Sequence, residues 1–172
     1  MRFATETSTF RLQTLNEINI TRYTMYIDSH THFDMALEDT NLNEYAIMRN
    51  LREKEISHSV QVAVDVDNFS WSHNFAKKYQ KNGVLFTLGI HPSSKAGDSE
   101  LEKLKTYLNN VMDSADKDLL FGIGECGLDY YRMRQKKEMQ QESFITPIFV
   151  ALASGSFSHF HQDEPSVCCS PG

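Results

Sequence analysis

Residues 26–34 read "YIDSHTHFD", a short apolar start that ends in two histidines one residue apart. Residues two apart on a strand point to the same face, so His30 and His32 can hold one cation together. Imidazole is a good ligand for zinc and related transition metals. An isolated pair of this kind is more often a helix cap or a core histidine. The position at a strand end, between Asp28 and Asp34, favours the metal interpretation here.

The same arrangement recurs along the chain. Apolar runs predict strands at residues 59–65, 84–90 and 119–125, and polar residues close each run in "VDVD", "GIHP" and "GECG". Helical patterns lie between them, and they start at Asn41, at Phe69, at a capping box beginning with Ser99, and at Gln135. Each strand–helix unit has roughly the ~30 residues of a parallel crossover unit.

This alternation predicts an α/β protein whose sheet is covered on both faces. An open doubly wound sheet and a (β/α) barrel both fit the pattern. Polar residues at successive strand ends favour the barrel, which builds its active site there. The first strand is not followed by a Gly-rich phosphate loop, which disfavours nucleotide binding of the dinucleotide type.

Composition narrows the functional classes. The 172 residues include 17 basic and 23 acidic side chains, a formal charge of -6, which argues against a general basic surface for nucleic acid. Bound cations are absent from that count and can still bring phosphates to the protein. The 3 cysteines suggest neither a disulfide framework nor zinc spacing. A cytoplasmic location is expected, with nucleus and organelles as alternatives, and no membrane span is predicted.

Two further strand ends carry candidate catalytic residues. Glu125 stands between small residues, where backbones approach closely, and its two carboxylate oxygens could bridge two metals. On its own, such a glutamate is more often a salt-bridged surface carboxylate. His91, followed by Pro92, could bind an anion or act as an acid, and a turn histidine fixed by proline fits the spacing almost as well.

Asp129 and Arg132 are the candidate substrate-binding residues, since they follow Glu125 closely. Arg132 could pair with a phosphate through its forked donors, or with a surface carboxylate. The other histidines carry no predicted function. His58 and His73 are interpreted as lying in or beside helical surface segments. The "HFH" spacing at residues 159–161 is interpreted as chance in a tail without a strand, and Cys126 as a small buried residue.

"DSHTHFD", "LGIHP" and "GIGECGLDYYR", in this order and spacing, resemble the motifs of the TatD-type deoxyribonucleases. These are metal-dependent hydrolases with a TIM-barrel fold, and the resemblance spans about residues 25–144. It implies that His30 and His32 are metal ligands, that Glu125 is a metal-bridging ligand, and that His91 lies in the active-site pocket. It also implies a pair of divalent ions (Mg, Mn or Zn) and hydrolysis of a phosphodiester in DNA or a nucleotide substrate.

The resemblance also predicts the organisation of the chain. Residues 1–24 are expected to be a poorly ordered extension, residues 25–144 the N-terminal half of a TatD-like barrel, and residues 145–172 a divergent tail. The family continues with strands that supply two further histidine ligands and an aspartate. In this chain "IFVALA" (residues 148–153) could form one more strand, but "SGS" follows it instead of a histidine motif.

Three functions remain open from the sequence. The first is a TatD-like deoxyribonuclease, with activity reduced by the missing ligands. The second is a hydrolase of the same fold that acts on a small phosphate ester or amide. The third is a non-catalytic fragment. His30, His32 and Glu125 alone could hold one catalytic zinc with an open position. A monomer without a protein partner is expected.

Overall fold

The computed structural model describes residues 25–94, 96–153 and 159–160, and its strands form one parallel sheet. Every neighbouring pair is parallel, and the order of strands in the sheet equals their order in the chain. That order is the one found in (β/α) barrels, so the predicted fold class is confirmed as part of such a barrel. The strands are β1 (Tyr26–Thr31), β2 (Ile56–Val62), β3 (Val84–Leu88), β4 (Leu120–Ile123) and β5 (His159–Phe160).

Helices follow the strands and cover the sheet. Helix α4 has an apolar stripe at helical spacing, in which Leu101, Leu104 and Leu108 are at most 2% exposed. The central strands are buried on both faces, which explains their continuous apolar runs. The helices are α1 (Phe33–Asp39), α2 (Glu44–Glu53), α3 (Phe69–Tyr79), α4 (Asp98–Met112) and α5 (Lys137–Ala153).

The helix starts differ from the predicted ones. Helix α2 begins at Glu44, and the Asn43 side chain caps it by accepting the backbone N–H of Ala46 at 2.9 Å. Asn41 therefore lies two residues before the true cap. Helix α4 begins at Asp98 with Gly97 as the cap residue, so the predicted Ser99 box lies inside the first turn. Helix α1 was not predicted, because seven residues are too few to show a period.

Two strand predictions are wrong as well. The segment "IFVALA" continues helix α5 to Ala153 instead of forming a strand. A short apolar run has no periodicity that distinguishes a strand from a helix. The helix that precedes this run therefore determines its structure. Strand β2 covers Ile56–Val62 instead of residues 59–65. Its first residues lie partly exposed beside β1, which permits the polar Ser57 and His58 there.

The surface interpretation of His58 and His73 needs correction. His58 lies in strand β2, although it is exposed. His73 in α3 is half-buried and stacks on Phe86 of β3, with ring centroids 4.9 Å apart. Its ring nitrogens lie 3.3 Å from the Tyr107 hydroxyl and 3.1 Å from the Asp116 carboxylate, so it ties α3 to its neighbours. Cys126 is buried, as predicted.

The two ends of the chain extend beyond the described residues. The predicted poor order of residues 1–24 lies outside them, as do His161 and the pair Cys168–Cys169. None of the helices that the structure describes has both the length and the apolarity needed to cross a bilayer.

Candidate metal centre

The C-terminal ends of β1 and β4 bring together two imidazoles and one carboxylate. His30 Nε2 lies 3.2 Å from His32 Nε2, and Glu125 Oε2 lies 3.6 Å and 3.8 Å from these two nitrogens. The three ligand atoms all lie within 4.8 Å of one another. We call His30, His32 and Glu125 the metal triad. Two nitrogens and one carboxylate oxygen converging on one point suit a divalent cation.

The ring of His32 is held in a defined orientation. Its Nδ1 lies 3.0 Å from the main-chain carbonyl of Val62 and donates its proton to that oxygen. The neutral ring therefore keeps a lone pair on Nε2, the nitrogen that faces Glu125. A hydrogen bond from the second ring nitrogen to a carbonyl is the usual way in which proteins fix the tautomer of a metal-binding histidine.

The backbone of β3 sets the place of Glu125. A Cβ atom on Gly89 would lie 2.5 Å from the carbonyl carbon of Gly124 and 2.7 Å from the carbonyl oxygen of Glu125. The N–H of Gly124 donates a hydrogen bond to the carbonyl oxygen of Leu88 at 2.9 Å. This bond stabilises the close approach of the two backbones. Glu125 is 8% exposed, and burying an ionised carboxylate is costly unless a cation or strong donors face it.

His91 approaches the triad from the end of β3. Its Nε2 lies 3.4 Å from Glu125 Oε1, while its Nδ1 accepts the backbone N–H of Ser93 at 3.0 Å. Because Nδ1 is an acceptor, the neutral ring carries its proton on Nε2 and donates it toward Glu125. The geometry therefore makes His91 a donor beside the triad. The predicted catalytic role of His91 stays a prediction.

Asp129 and Arg132 organise the loop after the triad. The Asp129 carboxylate accepts the backbone N–H groups of Tyr131 at 3.1 Å and of Arg132 at 2.9 Å. The hydrogen bond from the Arg132 backbone N–H is the largest of the influences that hold the pKa of the Asp129 carboxyl below its ordinary value. The Arg132 side chain is 63% exposed and lies 3.5 Å from Asp129. Their role in substrate binding stays a prediction.

His159 lies in a different setting from the one predicted. It belongs to β5, which pairs in parallel with β4 in the register Gly122–His159 and Ile123–Phe160. The prediction that no strand lies at this point is therefore wrong, since two residues are too few to show a strand pattern. The interpretation of the histidine spacing at residues 159–161 as chance stays a prediction.

Sequence reasoning missed the side chains that support the triad. Gln61 is fully buried in β2. Its side chain accepts the backbone N–H of Phe33 and donates to the carboxylate of Asp34. Gln135 donates to the carbonyl of His91 at 2.9 Å. The available signal for Gln61 was its place as a polar residue inside the apolar run "VQVAV" (residues 60–64).

A parallel partial barrel with two histidines at its first strand end and a glutamate at its fourth is the architecture of a metal-dependent hydrolase. The sequence model of the family described as TatD related DNase matches residues 27–167, and the chain belongs to this family. The match continues past Phe144, where the sequence analysis placed the end of the resemblance.

Relatives of known sequence bear similar names. The chain is 32% identical over 120 residues to an uncharacterized metal-dependent hydrolase from Buchnera aphidicola subsp. Baizongia pistaciae, covering 69% of this chain and 42% of that protein. A second such hydrolase, from subsp. Acyrthosiphon pisum, is 30% identical over 129 residues, covering 73% and 48%. The chain thus spans less than half the length of these relatives.

Two solved structures share the fold. The TatD homologue YjjV from Escherichia coli K12 superposes with a TM-score of 0.59 at 23% identity, covering 76% of this chain and 48% of that one. An uncharacterized amidohydrolase from Saccharomyces cerevisiae gives 0.57 at 16% identity, covering 74% and 44%. At these identities the likeness establishes the fold alone.

Proposed function

We propose that this chain contributes the first half of a metal-dependent site that hydrolyses phosphodiester bonds in DNA. The observation that carries the proposal is the convergence of His30, His32 and Glu125 within 4.8 Å. Membership of a family described as TatD related DNase supports DNA as the substrate class. The reaction is expected in the cytoplasm and from a monomer.

The residues of the triad fit a divalent ion. His30 and His32 would each offer Nε2, and Glu125 would offer the carboxylate oxygen that faces them. The ion, when bound, would supply Lewis-acid charge that activates water and offsets charge on phosphate oxygens. A half-exposed histidine pair above a buried carboxylate leaves one side of the site open to substrate.

His91 would act on the other oxygen of the carboxylate. Its Nε2–H points at Glu125 Oε1, so it would keep Glu125 turned toward the histidine pair. Once a cation occupies the triad, the same N–H is placed to donate to an anionic group next to Glu125. A cation also reduces the mismatch between the formal charge of -6 and a polyanionic substrate.

The test is cleavage of end-labelled DNA with Mg²⁺, Mn²⁺ or Zn²⁺ by the chain and by His30→Ala and Glu125→Gln variants. We expect metal-dependent cleavage that both variants lose, together with weaker metal binding in calorimetry. His58→Ala is the matched control, because His58 is an exposed histidine of β2 that bonds only to neighbouring Ser57 among its described side-chain contacts. Cleavage that persists in the two triad variants contradicts the site.

A small phosphate ester or amide is the second candidate substrate. The two Buchnera relatives are named only as metal-dependent hydrolases, and that class includes enzymes for DNA as well as enzymes for small esters or amides. The same preparations should therefore be assayed with p-nitrophenyl esters of phosphate and with amides. Hydrolysis of these without cleavage of DNA would assign the smaller substrate. Metal binding without any hydrolysis would identify a non-catalytic chain.

A further inference from the structure

Asp34, two residues after His32, accepts hydrogen bonds on both of its carboxylate oxygens. Asp34 Oδ1 accepts a hydrogen bond from Gln61 Nε2 at 2.9 Å, and Asp34 Oδ2 accepts one from Asn68 Nδ2. Gln61 belongs to β2 and is fully buried, while Asn68 immediately precedes helix α3. The first turn of α1, which follows β1 directly, is thereby connected to two other elements of the fold.

The same glutamine also holds the main chain. Gln61 Oε1 accepts the backbone N–H of Phe33 at 2.7 Å, one residue after His32. Ser72 of α3 completes the cluster, because its hydroxyl donates to Asn68 Oδ1 at 2.8 Å and lies 3.2 Å from Gln61 Nε2. We call Asp34, Gln61, Asn68 and Ser72 the amide cluster. A buried amide is costly unless its groups are paired, and here both ends of Gln61 are paired.

His32 is therefore held from two consecutive positions of β2. The carbonyl of Val62 accepts the proton of its ring nitrogen Nδ1 at 3.0 Å. Gln61 fixes the main chain directly after it, which sets the position from which the ring leaves the strand. Without the hydrogen bond between Phe33 and Gln61, the end of β1 could rotate. The Nδ1–carbonyl bond of His32 and the direction of its Nε2 would then change together.

We propose that Gln61 is a positioning residue that aims His32 at the metal triad and so sets the affinity of the site for its cation. The inference rests on the proposed metal site. Gln61 makes none of the triad contacts itself, and it acts through Phe33, Asp34 and the strand end. An apolar residue of the same size would fill the space equally well, so the distinctive contribution of the amide is orientation.

The experiment compares Gln61→Met with Leu108→Ala in the whole chain. Leu108 is a buried residue of α4, a helix that contains no member of the amide cluster, and its truncation is expected to lower thermal stability. We expect Gln61→Met to weaken Zn²⁺ and Co²⁺ binding about 10–100-fold, the range for residues that orient metal ligands. The visible spectrum of bound Co²⁺ should change as well. Leu108→Ala should lower the melting temperature and leave both metal readouts unchanged.

A milder variant keeps the test valid if Gln61→Met does not fold. Asn68 is partly exposed, and Asn68→Ala removes one hydrogen bond to Asp34. We expect this variant to weaken metal binding in the same way as Gln61→Met, but by a smaller factor. If Leu108→Ala weakens metal binding as much as Gln61→Met at equal loss of melting temperature, the cluster is merely structural and the inference fails.

Measurements on the metal-free protein separate this inference from the proposed function. In Gln61→Met the amide hydrogen of Phe33 should exchange faster, and the nuclear magnetic resonance signal of the His32 Nδ1–H should shift or disappear. A wild-type chain that binds no metal would sink the proposed function, while these two readouts would still support the positioning role. Unchanged readouts in the variant would overturn it.

Discussion

The carboxylate of Asp129 closes the loop that leaves the metal triad. Backbone N–H groups of Arg132 and Tyr131 donate to it, and the first of these is the main reason that its pKa lies below the ordinary value of 3.8. A folded-state pKa below the unfolded one means that the ionised group stabilises the fold. This contribution is fully present above pH 3.8 and is lost as the pH falls through the folded-state value.

We therefore expect Asp129→Asn to lower the free energy of unfolding at pH 7. The difference from wild type should shrink as the pH falls below 3.8, because the wild-type carboxylate then becomes protonated. Urea unfolding at several pH values measures it. A difference that stays constant with pH would show that the charge of Asp129 contributes nothing to the loop, and would leave its predicted role with substrate as the better explanation.

At the scale of single residues, the sequence predicted which side chains converge better than it predicted the residues that support them. His30, His32 and Glu125 were predictable because residue type and position at a strand end carry chemistry directly. Gln61 was not, since its partners lie 27 and 28 residues away and include a main-chain N–H that no side-chain pattern reveals. Asp129 was visible, but its partners are also main-chain groups.

At the scale of elements, the contact between the end of β3 and the end of β4 leaves no room for a side chain. A Cβ on Gly89 would meet the backbone of Gly124 and Glu125 at 2.5–2.8 Å, closer than real atoms approach. Backbone cannot rotate away as a flexible side chain can. Either β3 or the segment that carries Glu125 must therefore move, and the triad would open with it.

Gly89→Ala is expected to cost about 1–3 kcal/mol or more of unfolding free energy, the range for overpacking. It should also weaken metal binding. Gly97→Ala is the control, because its Cβ would meet only the flexible carboxylate of Glu100, at 3.2 Å. That variant should cost about 1 kcal/mol or less, the loss expected when alanine replaces a better cap residue. Equal losses in the two variants would contradict a tight contact at Gly89.

The elements themselves followed from patterns that extend over several residues, whereas their ends did not. The stripe of α4 is periodic, and the apolar runs of β3 and β4 are continuous, so several residues agree on each element. Ends depend on single residues: Asn43 caps α2 although Asn41 has the same side chain. Segments shorter than two turns or three residues, such as α1 and β5, offer too few positions for any period to appear.

At the scale of the whole molecule, the described sheet is open. Strand β1 stands at one side of it and β5 at the other, and the family fold is a closed barrel. Met25, Tyr26 and Ile27, at the start of β1, are 68%, 59% and 65% exposed. Among the described strands β1 has a neighbour on one side only, and an edge strand with exposed apolar residues is the structure that other chains extend when proteins aggregate. The open side at β1 is therefore a predicted liability.

Ile27→Lys should raise the protein concentration at which light scattering appears on heating, because a charge on an edge strand opposes strand pairing. Its melting temperature should change little, since substitution of an exposed side chain stays within about 0.5 kcal/mol. Tyr45→Lys is the matched control: Tyr45 is 74% exposed, but it lies in α2, where the backbone groups bond within the helix. If both variants suppress scattering equally, exposed apolar area, and not the strand edge, drives the association.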